Sequence, residues 1–411
     1  MIYNEREREF SELLKELSQV IDITETQYKR AIESYESVGA WLAKEDSLLH
    51  VYQPEILPQG SFLLGTMTRP ILKGDELDID LVCRLTAKPN SWVQYSLKNR
   101  VGQRLKENEK YKQMLDKEGR RCWTLNYADS SKFHMDILPA FVEEGHRELL
   151  SRAFVQLNSE QNIDRDELAI RITDNEEDSF YTETNVFKWP RSNPFGYAHW
   201  FQQRANIDNR KAIILSSSVQ PVPLFNEDKL PLQRIVQILK RHRDIMFAND
   251  EHRPISIIIT TLAAWSYGGE TDLTRGLMNV VNKMESFIKE KYDYKLDRYI
   301  KWIANPVNDQ ENFADKWAEV SKKENNFYEW LEKVKKDIAK AFNSQGAHRI
   351  KQELSSSFGS DTVNRAFENW GDAKYKQREN SSLYMSKGTG ILTGISSASS
   401  TLVKSHNFHG E

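Results

Sequence analysis

The chain has 411 residues, of which 39% are hydrophobic and 28% are charged, a composition that suits a soluble globular protein and excludes wholesale disorder. The formal net charge of -3 provides no overall positive field for duplex nucleic acid, so a small-molecule or nucleotide substrate is favoured over a long polyanion. The two cysteines are too few for a disulfide framework or a cysteine-rich zinc site.

The length exceeds the size at which a single hydrophobic core grows comfortably, so we expect two lobes. The first ten residues are charged and contain no apolar signal segment. The longest apolar run, Ile255 to Trp265, is too short to span a bilayer. These features predict a cytoplasmic protein without a membrane partner.

The chain opens with two predicted helices within residues 5–46. In the first, apolar residues recur at three- and four-residue steps and mark one face: Phe10, Leu13, Leu14, Leu17, Val20 and Ile21. The second starts near Thr24, which has capping-box spacing to Gln27. We expect residues 1–46 to form N-terminal helices that brace both lobes.

Residues 50–145 show the short alternating segments that are typical of strands. Leu77, Ile79 and Leu81 alternate with Asp78 and Asp80, so one strand buries an apolar face and presents two carboxylates on the other. A hairpin follows, in which residues 123–127 and 133–137 alternate on either side of an Asp129–Ser131 turn. The second strand of this hairpin carries Asp136 on the face opposite its apolar residues.

Further along, residues 167–173 are compatible with one more strand, and Asn193–Pro194 with the start of a short helix. From Pro231 the pattern is mainly helical to about residue 372, with Lys240, Arg241 and Arg243 largely off the apolar stripe. We place a strand-rich core at 47–215 and a helical lobe at 216–379. Residues 380–411 are rich in Ser, Thr and Gly and are predicted to be a flexible tail.

Three carboxylates on adjacent strands repel one another, and such a cluster persists mainly when cations neutralise it. Oxygen ligands favour Mg²⁺ or Mn²⁺ over zinc. Two such ions about 4 Å apart activate an attacking hydroxyl and stabilise the leaving oxygen in a phosphoryl displacement. Asp78, Asp80 and Asp136 are therefore the candidate catalytic and metal-binding residues.

A second motif lies upstream, in the segment Gln59 to Thr66 after Pro58. Gly60 allows the backbone to approach phosphate oxygens, and Ser61 supplies a hydroxyl and an amide at the start of a helix. Thr66 either faces phosphate or braces the turn. An ordinary strand-to-helix turn is the alternative interpretation of the Gly-Ser pair alone, and the three aspartates in this order weigh against it.

The ordered set Gly-Ser, Asp-x-Asp and a later Asp resembles the polymerase-β-type nucleotidyltransferase superfamily. Over roughly residues 50–270, the local sequence is similar to that of the cGAS/DncV-like nucleotidyltransferases of the bacterial CBASS anti-phage systems. The segments that carry this resemblance are LPQGSFLLGTMTRP, DELDIDLV, FHMDILPA, LQRIVQILKRHRD and PISIIITTLAAW. It implies an α+β, bilobal polymerase-β-type fold, with a mixed β-sheet core and helices plus an α-helical C-terminal lobe.

The resemblance also implies roles for individual residues. Gln59, Gly60 and Ser61 match the phosphate-binding turn, and the three aspartates match the metal-binding carboxylates. Lys240 falls where related enzymes place a triphosphate-binding lysine, or it is a solvated lysine beside Arg241 and Arg243. Ser256 falls near their triphosphate-binding serine, or it is a buried helix serine, since Ile257 stands where the animal relatives have a base-stacking tyrosine.

The implied activity is template-free synthesis of a cyclic di- or trinucleotide second messenger from NTPs, ATP and/or GTP, with release of pyrophosphate. The alternatives are a linear oligonucleotide synthetase or RNA 3′-end transferase, and a catalytically silent nucleotide-binding scaffold. The chain lacks the zinc insertion that grips DNA in the animal sensor, so no DNA activator is expected. The resemblance further implies a downstream effector that receives the product. Some systems of this resemblance join the C-terminus of the synthase to other proteins through ubiquitin-like conjugation machinery, and the alternative for this tail is a disordered end without a role.

Overall fold

A computed structural model describes residues 2–71, 77–127, 133–155, 164–205, 228–248, 250–387, 390–394 and 396–404 of the chain. The helices are α1 (Ile2–Ile21), α2 (Glu25–Ala43), α3 (Gly60–Leu64), α4 (Gln94–Lys106), α5 (Glu109–Met114), α6 (His146–Val155), α7 (Pro194–Ala205), α8 (Pro231–Phe247), α9 (Ser256–Ser266), α10 (Leu273–Lys283), α11 (Ser321–Asn343), α12 (Ala347–Phe358) and α13 (Ser360–Glu379). The strands are β1 (Glu55–Pro58), β2 (Leu77–Leu85), β3 (Trp123–Tyr127), β4 (Phe133–Phe141), β5 (Ile170–Ile172), β6 (Arg191–Ser192), β7 (Lys289–Asp293), β8 (Arg298–Trp302), β9 (Ala304–Asn305), β10 (Asn308–Asn312), β11 (Tyr384–Ser386), β12 (Leu392–Thr393) and β13 (Ser400–Leu402).

The chain divides into two compact units that differ in secondary structure. One contains residues 23–229 and 304–311 and is organised around a sheet. The other contains residues 1–22, 230–303 and 312–411 and is mainly helical. The predicted N-terminal segment 1–46 is thus divided, with α1 in the helical unit and α2 in the sheet unit.

In the described part of the sheet unit, six strands form one mixed sheet in the order β1-β2-β4-β5-β6, and β3 pairs with β4 beside β5. The β2–β4 pair is parallel, and the pairs β1–β2, β3–β4 and β4–β5 are antiparallel. Alternating burial along β2 and β3 confirms the predicted strands. The predicted turn of the hairpin falls in 128–132, outside the described residues.

One face of this sheet is covered by α2 and α4, which complete a hydrophobic core with the apolar residues of β2, β3 and β4. Helix α2 begins at the predicted capping box, where the Thr24 side chain accepts from the amide of Gln27 and the Gln27 side chain accepts from the amide of Thr24. Phe62 of α3 packs against the rings of Tyr28 and Tyr35. The short helix that follows the candidate phosphate turn is therefore anchored in this core.

Within the helical unit, α1 packs on α8, α10 and α13, and the predicted apolar face of α1 is buried. Helix α8 also contacts α9, α10, α11 and α12. Because neighbours surround α8, its basic residues Lys240, Arg241 and Arg243 are buried as well. The sequence predicts these three residues to lie largely outside the apolar stripe of α8. They are nevertheless buried, because other helices cover that part of α8 as well.

Two regions differ from the sequence expectations. Strands β7 to β10 interrupt the region predicted to be helical, and β7 and β8 form an exposed hairpin with no apolar alternation to signal it. The predicted flexible tail contains strands β11 to β13, which pair as an antiparallel sheet. These strands are two or three residues long, and backbone hydrogen bonds hold them together; the amide of Val403, for example, donates to Leu383 O at 2.8 Å. Such short strands show too little side-chain alternation to be predicted from the sequence. Residues 405–411 lie outside the described part of the chain.

Among the described helices, none combines the length and the apolar composition that crossing a bilayer requires.

Further along the same face of β2 as Asp78 and Asp80, the fully buried Arg84 side chain forms a charged network that braces the sheet. Its Nε donates to Glu55 at 2.8 Å, and its terminal nitrogen donates to His146 Nδ1 at 2.8 Å. Because arginine only donates, Nδ1 is the accepting nitrogen, and Nε2–H donates to Leu168 O at 3.2 Å. Burial and the Arg84 charge lower the pKa of His146 to about 4.

The free energy of unfolding is expected to fall with acidification because of His146. Its pKa is about 4 in the folded state against roughly 6.5 in the unfolded chain, so its contribution is complete above pH 6.5 and is lost as the pH falls toward 4. From pH 7.5 to 5 this amounts to about 2 kcal/mol. Chemical denaturation at both pH values measures the loss.

His146→Asn keeps an acceptor for Arg84 and should remove about this much of the pH dependence. The control is His348→Asn, since His348 is exposed on α12. Equal pH dependence in wild type and His146→Asn would contradict the assignment.

Candidate active site

The parallel register of β2 and β4 brings the predicted carboxylates onto one face of the sheet. Asp80 lies opposite Asp136, and Asp78 lies opposite His134. Asp78 is exposed, and Asp80 and Asp136 are half-buried. The alternate residues Ile79, Leu81, Met135 and Ile137 are buried on the other face. Residues predicted from two distant segments therefore share one polar surface.

Strand β3 adds two polar residues that sequence reasoning missed. Thr124 lies opposite Asp136, and its hydroxyl donates to Asp136 Oδ1 at 2.5 Å. Asn126 lies opposite His134, and its Oδ1 is 2.6 Å from His134 Nδ1. The alternation of apolar residues along β3 already implied that its other face is polar. Only the pairing of β3 with β4 shows that this polar face adjoins Asp136. Thr124 orients one carboxylate oxygen and leaves the other for a ligand.

The predicted phosphate turn lies directly against Asp80. The amide of Gln59 donates to the backbone oxygen of Asp80 at 2.8 Å, and Gly60 begins α3 with a φ of +56°. A Cβ built on Gly60 would collide with a carboxylate oxygen of Asp80. Glycine is therefore required at this position by both its backbone conformation and the close approach.

Thr66 lies beneath this turn, not on its surface. Its side chain is 1% exposed, and its amide donates to Ser61 O at 2.9 Å. This placement favours bracing the turn over contact with phosphate, the second of the two roles expected for Thr66. Ser61 itself is half-buried at the start of α3.

The carboxylates concentrate negative charge around Cys122, the residue that precedes β3. Burial, followed by the charges of Asp136 and Asp80, raises the pKa of the Cys122 thiol to about 12. The described residues contain no preassembled group of three His, Cys, Asp or Glu side chains that could hold a metal ion. The three aspartates thus share a face but are not drawn around one point.

Lys240 and Ser256 lie in the helical unit. Lys240 is 6% exposed on α8, so the interpretation as a solvated lysine is wrong. Ser256 is the first residue of α9 and is half-buried, and its hydroxyl accepts from Arg243 at 2.9 Å. Arg243 also donates to Pro254 O at 3.0 Å, so it secures the start of α9. Roles for Lys240 and Ser256 in substrate binding stay predictions.

Comparisons with known proteins find relatives of the part of the chain that contains these residues. Residues 54–140 match the family model described as "Cyclic GMP-AMP synthase DncV-like, nucleotidyltransferase domain". A c-di-GMP synthase from Roseivirga ehrenbergii is 27% identical across the whole of both chains. The cyclic dinucleotide synthase CdnG from Bradyrhizobium diazoefficiens is 22% identical over 75% of this chain and 70% of its own. The chain is thus similar to the cGAS/DncV-like nucleotidyltransferases, through the family model over residues 54–140 and through the c-di-GMP synthase over its whole length.

Solved structures of this family share the fold. CdnG from Bradyrhizobium diazoefficiens in complex with GTP aligns with a TM-score of 0.63 at 19% identity, covering 87% of this chain and 97% of the other. Vibrio cholerae DncV with the linear intermediate 5′ pppA(3′,5′)pG aligns with a TM-score of 0.52 at 16% identity, covering 89% and 88%. The predicted α+β fold of the polymerase-β type is confirmed. The family model and the two named relatives support a nucleotidyltransferase of the cyclic oligonucleotide synthase class.

Gly60→Ala is expected to abolish nucleotide joining. The added Cβ must displace the Asp80 carboxylate, and the positive φ adds a stability cost of about 1 kcal/mol. Product formation and the thermal unfolding midpoint are measured together.

Gly145→Ala is the matched control, because Gly145 has a φ of +87° but no atom within 4 Å of an added Cβ. It should show a similar stability cost with normal synthesis. Wild-type synthesis by Gly60→Ala would contradict the proposed approach of the turn to Asp80.

Proposed function

We propose that this nucleotidyltransferase joins two nucleoside triphosphates into a cyclic dinucleotide and releases one pyrophosphate for each bond formed. The observation that carries the proposal is the register that sets Asp80 opposite Asp136, with Asp78 on the same face and the Gly60 turn against Asp80. The names of the two curated relatives support a dinucleotide product over a trinucleotide. A c-di-GMP synthase among them, and a neighbour bound to GTP, support GTP as a substrate.

Two Mg²⁺ or Mn²⁺ ions are the proposed cofactors, held by Asp78, Asp80 and Asp136. The donor set fits, because these are carboxylate oxygens that face the same side of adjacent strands, and clustered like charges need a cation. When bound, such ions stabilise the charge that develops on the attacking and leaving oxygens. The strands already hold the three carboxylates on the same face.

The chain's own residues position the reactants around this face. The backbone of Gln59–Ser61 approaches the donor's terminal phosphates, which is possible because Gly60 carries no side chain. Asp136, oriented by the Thr124 hydroxyl, accepts the proton of the attacking ribose hydroxyl. The linear dinucleotide formed first keeps only the acceptor's triphosphate. After it turns over, the free ribose hydroxyl of the other nucleotide attacks the α-phosphate of that triphosphate, which closes the ring and releases the second pyrophosphate.

Incubation of the purified protein with the four NTPs and Mg²⁺ or Mn²⁺, with and without EDTA, tests the proposal. We expect phosphatase-resistant dinucleotides of cyclic mass that form only when the metal is available. Phosphatase-sensitive chains would support a linear synthetase or 3′-end transferase instead. Complete absence of turnover with every NTP and metal would support a silent scaffold.

The double variant Asp78→Asn/Asp80→Asn is expected to lose synthesis below detection without loss of folding. Removal of two clustered negative charges relieves repulsion, so the thermal unfolding midpoint should hold or rise. Glu143→Gln/Glu144→Gln is the charge-matched control, since both residues are exposed in the same unit. Retained synthesis in the aspartate variant would overturn the assignment of the catalytic carboxylates.

The wider role that the family resemblance implies also remains a proposal. It comprises cytoplasmic anti-phage signalling in a CBASS system, a downstream effector that receives the product, and conjugation of the C-terminal tail by ubiquitin-like machinery. The last residues, Asn407 to Glu411, lie outside the described part of the chain. Strands β11 to β13, which precede this segment, end at Leu402.

A further inference from the structure

Two rows of side chains cross the polar face of the sheet, because β2, β4 and β3 are paired with one another in register. The carboxylate row contains Asp80, Asp136 and Thr124. The second row lies two residues nearer the N-terminal ends of β2 and β4 and contains Asp78, His134 and Asn126. Side chains two residues apart on a strand share a face and are separated by roughly 7 Å along it. A nucleotide bound at the carboxylate row therefore extends over a neighbouring row.

Exposure shows which neighbouring row a substrate covers. Beyond the carboxylate row, toward the C-terminal ends of β2 and β4, the same face carries Val82 and Leu138, and both are buried. In the second row, Asp78 is exposed, and His134 and Asn126 are half-buried. A substrate that contacts the carboxylates therefore lies over the second row, because the other direction along the strands is covered.

The phosphate turn separates the two nucleotides across the sheet. Gly60 approaches Asp80 from the β1 side of β2, whereas His134 lies on β4, on the other side of β2. Asp136, which accepts the proton of the attacking hydroxyl in the proposed function, is two residues from His134 on the same strand. The donor's phosphates thus occupy the β1 side, and the ribose of the acceptor nucleotide lies beside His134.

Hydrogen bonds fix the imidazole ring of His134. Its Nδ1 is 2.6 Å from Asn126 Oδ1, and because an amide oxygen only accepts, Nδ1 carries a proton and donates it. The Asn126 side chain also donates to the carboxylate of Asp116, whose own amide donates to Thr124 O at 2.9 Å. With Nδ1 as the donor, Nε2 is the accepting nitrogen of the neutral ring.

An accepting nitrogen in this place suits a ribose hydroxyl. Phosphate oxygens only accept hydrogen bonds, so they gain nothing from Nε2, whereas a hydroxyl has a proton to donate. A ribose carries two neighbouring hydroxyls, and they lie within hydrogen-bond distance of each other. When one of them attacks from Asp136, the other is directed to an adjacent position on the face. His134 is the residue of the second row that shares a strand with Asp136.

We propose that His134 Nε2 accepts a hydrogen bond from the non-attacking ribose hydroxyl of the acceptor nucleotide. This inference rests on the proposed function, and it assigns to His134 the selection of ribonucleotides over deoxyribonucleotides as acceptors. Asn126 acts through His134, because its amide oxygen holds the proton on Nδ1 and so keeps Nε2 as the acceptor.

Single-bond assays test this hydrogen bond. A 2′,3′-dideoxynucleoside triphosphate has no attacking hydroxyl and serves only as donor. The acceptor is either the ribonucleoside triphosphate or its analogue without the non-attacking hydroxyl, which the linkage of the wild-type product identifies. The wild type should prefer the ribonucleotide acceptor about 10-fold in kcat/KM, because the analogue leaves one hydrogen bond unmade. His134→Ala should lose this preference and should keep the wild-type KM for the dideoxy donor.

Two conservative variants separate the ring nitrogens of His134. The amide of His134→Asn lies near the position of Nδ1 and retains a contact with Asn126, whereas the amide of His134→Gln extends to the position of Nε2 and supplies an accepting oxygen. His134→Gln should therefore recover part of the preference, and His134→Asn should not. The thermal unfolding midpoint is measured for each variant, and this pair decides the outcome if His134→Ala does not fold.

The wild-type preference in His134→Ala, or its recovery in His134→Asn as fully as in His134→Gln, would overturn the inference and leave the proposed function intact. A wild type that joins both acceptors equally well would do the same. An equal fall in kcat/KM for both acceptors in His134→Ala would also contradict it, because that result indicates support of the site without recognition of the hydroxyl. A wild type that forms no bond with any NTP would overturn both the inference and the proposed function.

Discussion

The parallel pairing of β2 with β4 is the constraint on which the site depends. It holds Asp80 opposite Asp136 although 55 residues separate them in the chain, and it places like charges where they repel. A shift of one residue in this register would turn the carboxylates into the hydrophobic core. Burial of the apolar residues on the opposite face of β2 and β4 therefore stabilises this register against the repulsion between the carboxylates.

The neighbouring elements then specify the chemistry of that face. The β1–β2 pairing delivers Gln59 and Gly60 to the backbone and carboxylate of Asp80, and Phe62 anchors the same turn in the core. The β3–β4 pairing delivers Thr124 to Asp136. Catalytic positions thus lie on regular strands with a packed underside, which holds side chains more accurately than loops do.

The helical unit shows a different use of charge. Lys240, Arg241 and Arg243 are all buried on α8, where an unpaired charge would be costly. Arg243 meets this cost with Asp244, Pro254 O and Ser256, while the neighbouring His242 lies 3.1 Å from the Asp337 carboxylate. Both the basic and the apolar residues of α8 are buried inside the helical unit. Polar contacts as well as hydrophobic packing therefore hold α8 against its neighbours.

Much of this protein was determined by local sequence. Alternation in residues 77–81 and 133–137 predicted two strands with carboxylates on one face, because side chains along a strand point to opposite sides. The capping box at Thr24 and the turn at Gly60 were also predicted, since both depend on residues only a few positions apart. The resemblance to the cGAS/DncV-like nucleotidyltransferases followed from the order of these same motifs.

Tertiary structure alone decided which polar residues meet. Thr124 and Asn126 become part of the site because of the strand that pairs with β3, and Asn126 then fixes which ring nitrogen of His134 donates. The burial of Lys240 depends on the helices around α8, and the C-terminal strands depend on backbone hydrogen bonds. Periodicity records which face of an element is apolar, but it does not record which neighbour covers the other face. That information exists only once the chain is folded.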